Sequence, residues 1–188
     1  MTAKTRRAST VCLATACVAL LALGSPARPV GRGNDKPRAA SKKLVGTWRV
    51  VSATLQERRG ARGTEFYGPN PQGRLIFDKS NNYTLIVLRD DLKNVRFASG
   101  NRETGTDDEN RKVVQGSIAN YGRYYVRSDR DRGDVLVLEI DRATFPNWNG
   151  VTQERPIGKL TDDRLEYEVN PASAGGESIA TFVWERVR

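Results

Sequence analysis

Histidine is missing from all 188 residues. Its absence removes the usual general base at neutral pH, the commonest zinc ligand, and the base of Ser-His and Cys-His nucleophile pairs. Cysteine is confined to Cys12 and Cys17. The rest of the chain therefore has no thiol and no disulfide, and its stability must come from a hydrophobic core. No cofactor and no metal are expected. The longest apolar run, Val11 to Leu23, is shorter than the ~20 residues that span a bilayer comfortably.

That run belongs to a leader. Lys4, Arg6 and Arg7 precede it and small residues follow it, which is the pattern of a secretory signal peptide over residues 1–24. Ala22 and Gly24 suit the cleavage rule, with Ser25 and Ala27 as the second choice; the alternative is a short uncleaved anchor. Arg6-Arg7 lacks the bulky apolar residues expected after a twin-arginine pair, and too little apolar sequence precedes Cys17 for a lipoprotein site. A periplasmic or extracellular location is expected.

Residues 25–43 (SPARPVGRGNDKPRAASKK) mix Pro, Gly and basic side chains without apolar periodicity. They read as a disordered basic linker. Most of the net charge of +9 lies in this linker and the leader, so residues 44–188 are nearly neutral. A nucleic-acid binder carries its basic charge on the folded surface, and none is expected here. Residues 28–43 are either a solvated tether or a peripheral contact to an anionic envelope. The oligomeric state is not legible.

Folded sequence begins with LVGTWRVVSATL at Leu44–Leu55, rich in β-branched and aromatic residues. Eight strands are predicted: 45–55, 73–78, 82–88, 122–127, 135–141, 151–160, 165–169 and 178–186. The seventh alternates Leu165, Tyr167 and Val169 against Glu166 and Glu168, the mark of a half-buried antiparallel strand. The third and fifth are apolar on both faces, so their inward sets stay open. One short helix is predicted between strands three and four. Thr106 is its N-cap type residue, followed by Asp107, Asp108 and Glu109. In an up-and-down meander, the short turns 79–81, 128–134 and 161–163 fall at one end. The connections 56–72, 89–121, 142–150 and 170–177 fall at the other. The result is an all-β, eight-stranded antiparallel barrel shaped as a cup, with a closed floor and an elaborated mouth.

Short motifs cluster in the mouth loops: YGPNPQGRLIF at Tyr67–Phe77, FASG at Phe97–Gly100, GT at Gly105–Thr106 and FPNWNG at Phe145–Gly150. With LVGTWRVVSA at Leu44–Ala53, YGRYYV at Tyr121–Val126 and VWER at Val183–Arg186, they resemble the bacterial and fungal lipocalin-like domain family over nearly all of Leu44 to Arg186. The resemblance implies a barrel that holds a small apolar or amphiphilic molecule, and no general activity. Relatives of this kind often carry histidines on the strand before FPNW, where this chain reads VLVLEID. The resemblance also places an Arg of the last strand over a Trp at the barrel floor. Gly46, Trp48 and Arg186 are therefore structural candidates, with a cation–π contact between the last two.

The candidate ligand-binding residues are Tyr67, Asn70, Tyr121, Arg123, Asn147 and Trp148. Tyr67, Asn70, Asn147 and Trp148 either meet a ligand at the mouth or lock the GPNP and FPNW loops together. Tyr121, Arg123 and Tyr125 share one face of the fourth strand. That face either lines the cup, giving Arg123 an anionic group to bind, or looks outward. Asp129, Asp131 and Asp134 lack the distal Glu of a calcium loop and read as a charged turn. Glu139 and Glu154 are expected to face outward; turned inward, either could act as an acid or base. No catalytic residue is assigned. The leading reading is an exported protein binding a small hydrophobic or amphiphilic molecule in a barrel cup. An isomerase or cyclase acting on such a molecule inside the barrel, and an envelope interaction module, are the alternatives.

Overall fold

The computed structural model describes residues 39–56, 63–170 and 178–188. The expected signal peptide and residues 25–38 of the linker lie outside the described residues, as do parts of two mouth connections.

Among the described residues nine antiparallel strands follow one another: β1 (Gly46–Gln56), β2 (Thr64–Glu65), β3 (Gln72–Phe77), β4 (Asn82–Leu88), β5 (Ser117–Asp129), β6 (Gly133–Ala143), β7 (Thr152–Leu160), β8 (Arg164–Val169) and β9 (Ile179–Arg186). Each long strand pairs with the next, and β1 pairs with both β3 and β9. The eight long strands thus close into the expected barrel. The two-residue β2, which the sequence did not reveal, pairs with Thr54 and Leu55 at the mouth end of β1.

The pleat decides what faces inward. On β4, Tyr83, Leu85 and Val87 are buried while Thr84 and Ile86 are exposed. On β6, Leu136, Leu138 and Ile140 join the main core. On β8, Leu165, Tyr167 and Val169 point inward as expected. Both apolar-on-two-faces strands thereby acquire an inward set, because register with their neighbours leaves one face toward the barrel axis.

The floor is built on Trp48. Its side chain is fully buried and its Nε1 donates to the Leu44 carbonyl at 2.8 Å. Leu44 ends α1 (Ala39–Leu44), a helix whose first five residues fall in the segment expected to be disordered. Ala-Ala-Ser-Lys-Lys-Leu contains no β-branched residue, glycine or proline to oppose a helical turn, and burial of Leu44 docks its end. Ordered chain therefore begins at least five residues before Leu44.

The second helix, α2 (Asp107–Gly116), starts where expected. Thr106 Oγ1 accepts from the Glu109 amide, and the Glu109 carboxylate accepts from the Thr106 amide at 2.8 Å, forming a capping box. The other Glu109 oxygen accepts from the Ala98 amide, also at 2.8 Å. One carboxylate thus ties the FASG segment to the start of α2.

Candidate functional site

Two of the loops that the meander predicts at the mouth meet there. Tyr67, from the β2–β3 connection, and Trp148, from the 3-10 turn Pro146–Trp148 between β6 and β7, line one cavity. Asn70 lies three residues beyond Tyr67 and Asn147 one before Trp148, so GPNP and FPNW belong to the same rim. Both asparagines are exposed. The backbone cap in the second motif comes from Asn149, whose Oδ1 accepts from the Ala143 amide at 2.7 Å. Phe145 packs edge-on against Trp148 at 5.6 Å and Phe66 against Tyr67 at 4.7 Å. These aromatic pairs roof the barrel.

The hollow beneath is much smaller than the cup expected from sequence. Its volume is ≈ 20 Å³, bounded by Phe66, Tyr67, Leu85, Ile118, Trp148 and Phe182 with two polar residues, Asn120 and Arg155. That is room for about one water. The lower barrel is filled by aromatic rings: Tyr167, Phe182 and Trp184 stack in series at 5.7 and 6.0 Å, and Phe77 lies 4.5 Å from Tyr124.

The polar lining was missed in the sequence. Asn120 and Arg155 are each 2 % exposed. The Tyr83 hydroxyl donates to Asn120 Oδ1 at 2.9 Å, and Nδ2 has no hydrogen-bond partner. Arg155 donates through Nη1 to the Tyr167 hydroxyl at 3.0 Å and through Nη2 to Gln153 Oε1 at 2.9 Å, while Nε is unpaired. Its guanidinium also lies 5.0 Å from the Tyr167 ring centroid. Burial pushes the phenols of Tyr67, Tyr83 and Tyr167 upward, against the opposing pull of the Arg155 charge. All three are therefore neutral at physiological pH.

Tyr121 and Arg123 do not line this cavity. The inward face of β5 carries Ile118, Asn120, Gly122, Tyr124 and Val126, so the odd-numbered side chains stand outside. Tyr121 is 51 % exposed, and Arg123 and Tyr125 are exposed beside it. The cation inside the barrel is Arg155 on β7. Glu139 and Glu154 face outward as expected. Glu154 pairs with Arg127 at 2.8 Å and Arg132 at 2.9 Å; the Arg127 bond first, with that of Arg132, holds its carboxyl below the usual range. Asp129 joins the same cluster and braces the β5–β6 turn through Arg127 and Arg132. No cluster of metal-ligating side chains occurs among the described residues.

At the floor, the Arg186 guanidinium carbon sits 4.2 Å from the centroid of the Trp48 ring. Arg186 Nη1 donates to the Val45 carbonyl at 2.7 Å, and its other nitrogens donate to the Asp162 and Lys43 carbonyls. One side chain thus joins α1, β1, the β7–β8 turn and β9. Gly46 is required beside it: its φ is +136°, and a Cβ there would lie 2.5 Å from Arg186 Nη1.

Among solved structures, a redesigned β-barrel is 15 % identical over 79 % of this chain and 96 % of its own, with a TM-score of 0.39. A second redesigned barrel, bound to DFHBI, is 17 % identical over 79 % of this chain and 100 % of its own, at a TM-score of 0.37. Bovine odorant binding protein, in complex with a selenium-containing odorant, is 13 % identical over 84 % of this chain and 78 % of its own, at 0.36. Likenesses this distant carry no functional argument. No curated protein matches the chain. The family model described as a lipocalin-like domain matches residues 45–187, which cover the barrel from β1 through β9. The chain belongs to the lipocalin-like domain family.

Proposed function

We propose that this protein is an exported binder of a small hydrophobic or amphiphilic molecule, held inside the barrel beneath the rim loops. The observation that carries the reading is the asymmetry of the two ends. Arg186 over Trp48 seals the floor with a charged, four-element clamp. Among the described residues the mouth is covered by side chains of loops, and the cavity lies directly under them. Loop-borne side chains open at lower free energy than a barrel wall. Entry of a ligand requires Trp148 and Phe66, both part-buried, to swing away from the ≈ 20 Å³ space they now roof. The apolar wall below them suits an apolar body.

Export rests on the leader pattern of residues 1–24 alone. A peripheral contact of residues 28–43 with an anionic envelope surface rests on their charge. Catalysis by Glu139 or Glu154 within the barrel finds no support, since both carboxylates lie on the outside.

Native mass spectrometry of the mature protein purified from its own host tests the binding reading. The expected spectrum contains a second species heavier by one small molecule, which is lost on collisional activation. Apo protein alone, together with no binding from a panel of apolar and amphiphilic compounds, would refute it.

A further inference from the structure

We infer that the ligand's polar group is a carboxylate, bound inside the barrel by Arg155 and Asn120, with its apolar tail directed to the rim beneath Trp148. This rests on the binding reading above and names the class of ligand.

Among the described residues Arg155 is a cation without a counterion. It is 2 % exposed, and its direct partners, the Tyr167 hydroxyl and the Gln153 amide oxygen, are neutral. Among the described residues no carboxylate lies within ion-pair distance of it. Its sequence neighbour Glu154 is on the outer surface, engaged by Arg127 and Arg132. The surrounding phenols are held neutral by burial, so no tyrosinate supplies the missing charge. A buried charge with only neutral partners is costly, and proteins keep such groups paired. Among the described residues the positive half of a pair is present and the negative half is not.

A second donor points to the same place. Asn120 is equally buried, and its oxygen is committed to the Tyr83 hydroxyl, which leaves the Nδ2 amide hydrogens without an acceptor. Asn120 Nδ2 and Arg155 Nε are two of three buried side-chain nitrogen or oxygen atoms lacking a partner among the described residues. Both residues border the same cavity, whose other walls include Phe66, Leu85, Ile118 and Phe182. Unpaired N–H donors with one positive charge in an otherwise apolar chamber complement a small planar monoanion. A carboxylate fits the guanidinium geometry and presents lone pairs enough for both residues. Apart from the Tyr67 phenol at the rim, the remaining walls are apolar, so the molecule is an amphiphile with an acid at its inner end.

The test compares dodecanoate with 1-dodecanol, a matched acid and alcohol, titrated into the full mature protein at pH 7.5 and followed by calorimetry. Dodecanoate is expected to bind at least about ten-fold more tightly, the scale of one charge-assisted hydrogen bond. In Arg155→Met the acid should lose that advantage while the alcohol keeps its affinity within about three-fold. Equal affinities of acid and alcohol for the unmodified protein would overturn the carboxylate assignment and leave the binding reading standing. Failure of both to bind would count against both. Should Arg155→Met not fold, Asn120→Leu provides the second variant: it is expected to weaken dodecanoate and spare dodecanol, and equal weakening of the two would overturn the assignment.

Discussion

The guanidinium of Arg186, near the end of the last strand, stacks on the indole of Trp48, near the start of the first, at 4.2 Å. The same side chain donates to the carbonyls of Val45, Asp162 and Lys43. Chain closure and floor closure are therefore one interaction. Arg186→Ala removes the cation–π contact and leaves backbone carbonyls without a charged donor, at an expected cost of roughly 2–4 kcal/mol. Arg186→Lys keeps the charge but not the planar fork and should recover less than half of it. Urea unfolding of both variants measures this; a loss under about 1 kcal/mol for the alanine variant would show the clamp to be incidental.

Gly46 serves that clamp. Its φ of +136° disfavours any side chain, and a Cβ would meet Arg186 Nη1 at 2.5 Å. Gly46→Ala is expected to destabilise by about 1–3 kcal/mol. In the Arg186→Ala background the cost should shrink, since the steric part is gone. A double-mutant cycle reads the coupling directly, and strict additivity would contradict it.

Glu109 gives a pH dependence of known sign. Backbone N–H bonds, that of Thr106 first and then that of Ala98, hold its carboxyl below the usual glutamate range. A group whose folded-state pKa is depressed contributes fully above its unfolded value, and that contribution is lost as pH falls through the folded value. The Ala98 and Thr106 amide proton resonances are expected to titrate together, with a midpoint below the ordinary value of about 4.3. Glu109→Gln should abolish the transition. A midpoint at or above the ordinary value, or separate titration of the two amides, would break the link between FASG and α2.

Arg155 separates a binding role from a structural one. A core residue retained for packing is costly to truncate: Leu138→Ala should lose roughly 2–5 kcal/mol. Arg155→Met removes an uncompensated buried charge while keeping most of the volume, so the unliganded protein should change by no more than about 1 kcal/mol. Thermal or urea unfolding decides; a loss as large as that of Leu138→Ala would make Arg155 a structural residue.

The barrel and its polarity were legible because period-2 patterning and loop lengths act locally. Leu165, Tyr167 and Val169 declared their face, and the short turns marked one end. The Trp48–Arg186 contact followed from the resemblance together with strand direction. What escaped depended on register. On β5 both faces carry tyrosines, so the pattern leaves open whether the face of Tyr121, Arg123 and Tyr125 lines the cup; Tyr124 and Val126 face the core instead. On β7 the segment TQERPIGKL has no apolar alternation to read. Arg155 faces inward because it pairs with Leu136 while Glu154 pairs with Val137, and the long β6–β7 connection leaves that register unspecified in the sequence. The size of the hollow was equally out of reach, since it depends on how the Tyr67 and Trp148 side chains fold over the mouth. Residues 39–43 fall in the expected linker because a helix of six residues, Ala39–Leu44, is too short to show a helical period.

The most direct test of a ligand site under the rim uses the three tryptophans, one at the mouth, one at the floor and one on β9. Their indole N–H resonances can be followed in a ¹⁵N-labelled sample as dodecanoate is added. A ligand held under the rim gives a large, saturable shift of the Trp148 signal, with Trp48, bonded to Leu44 beneath the Arg186 clamp, unmoved. A Trp48 shift with Trp148 unchanged, or saturable binding that disturbs no indole, would contradict it.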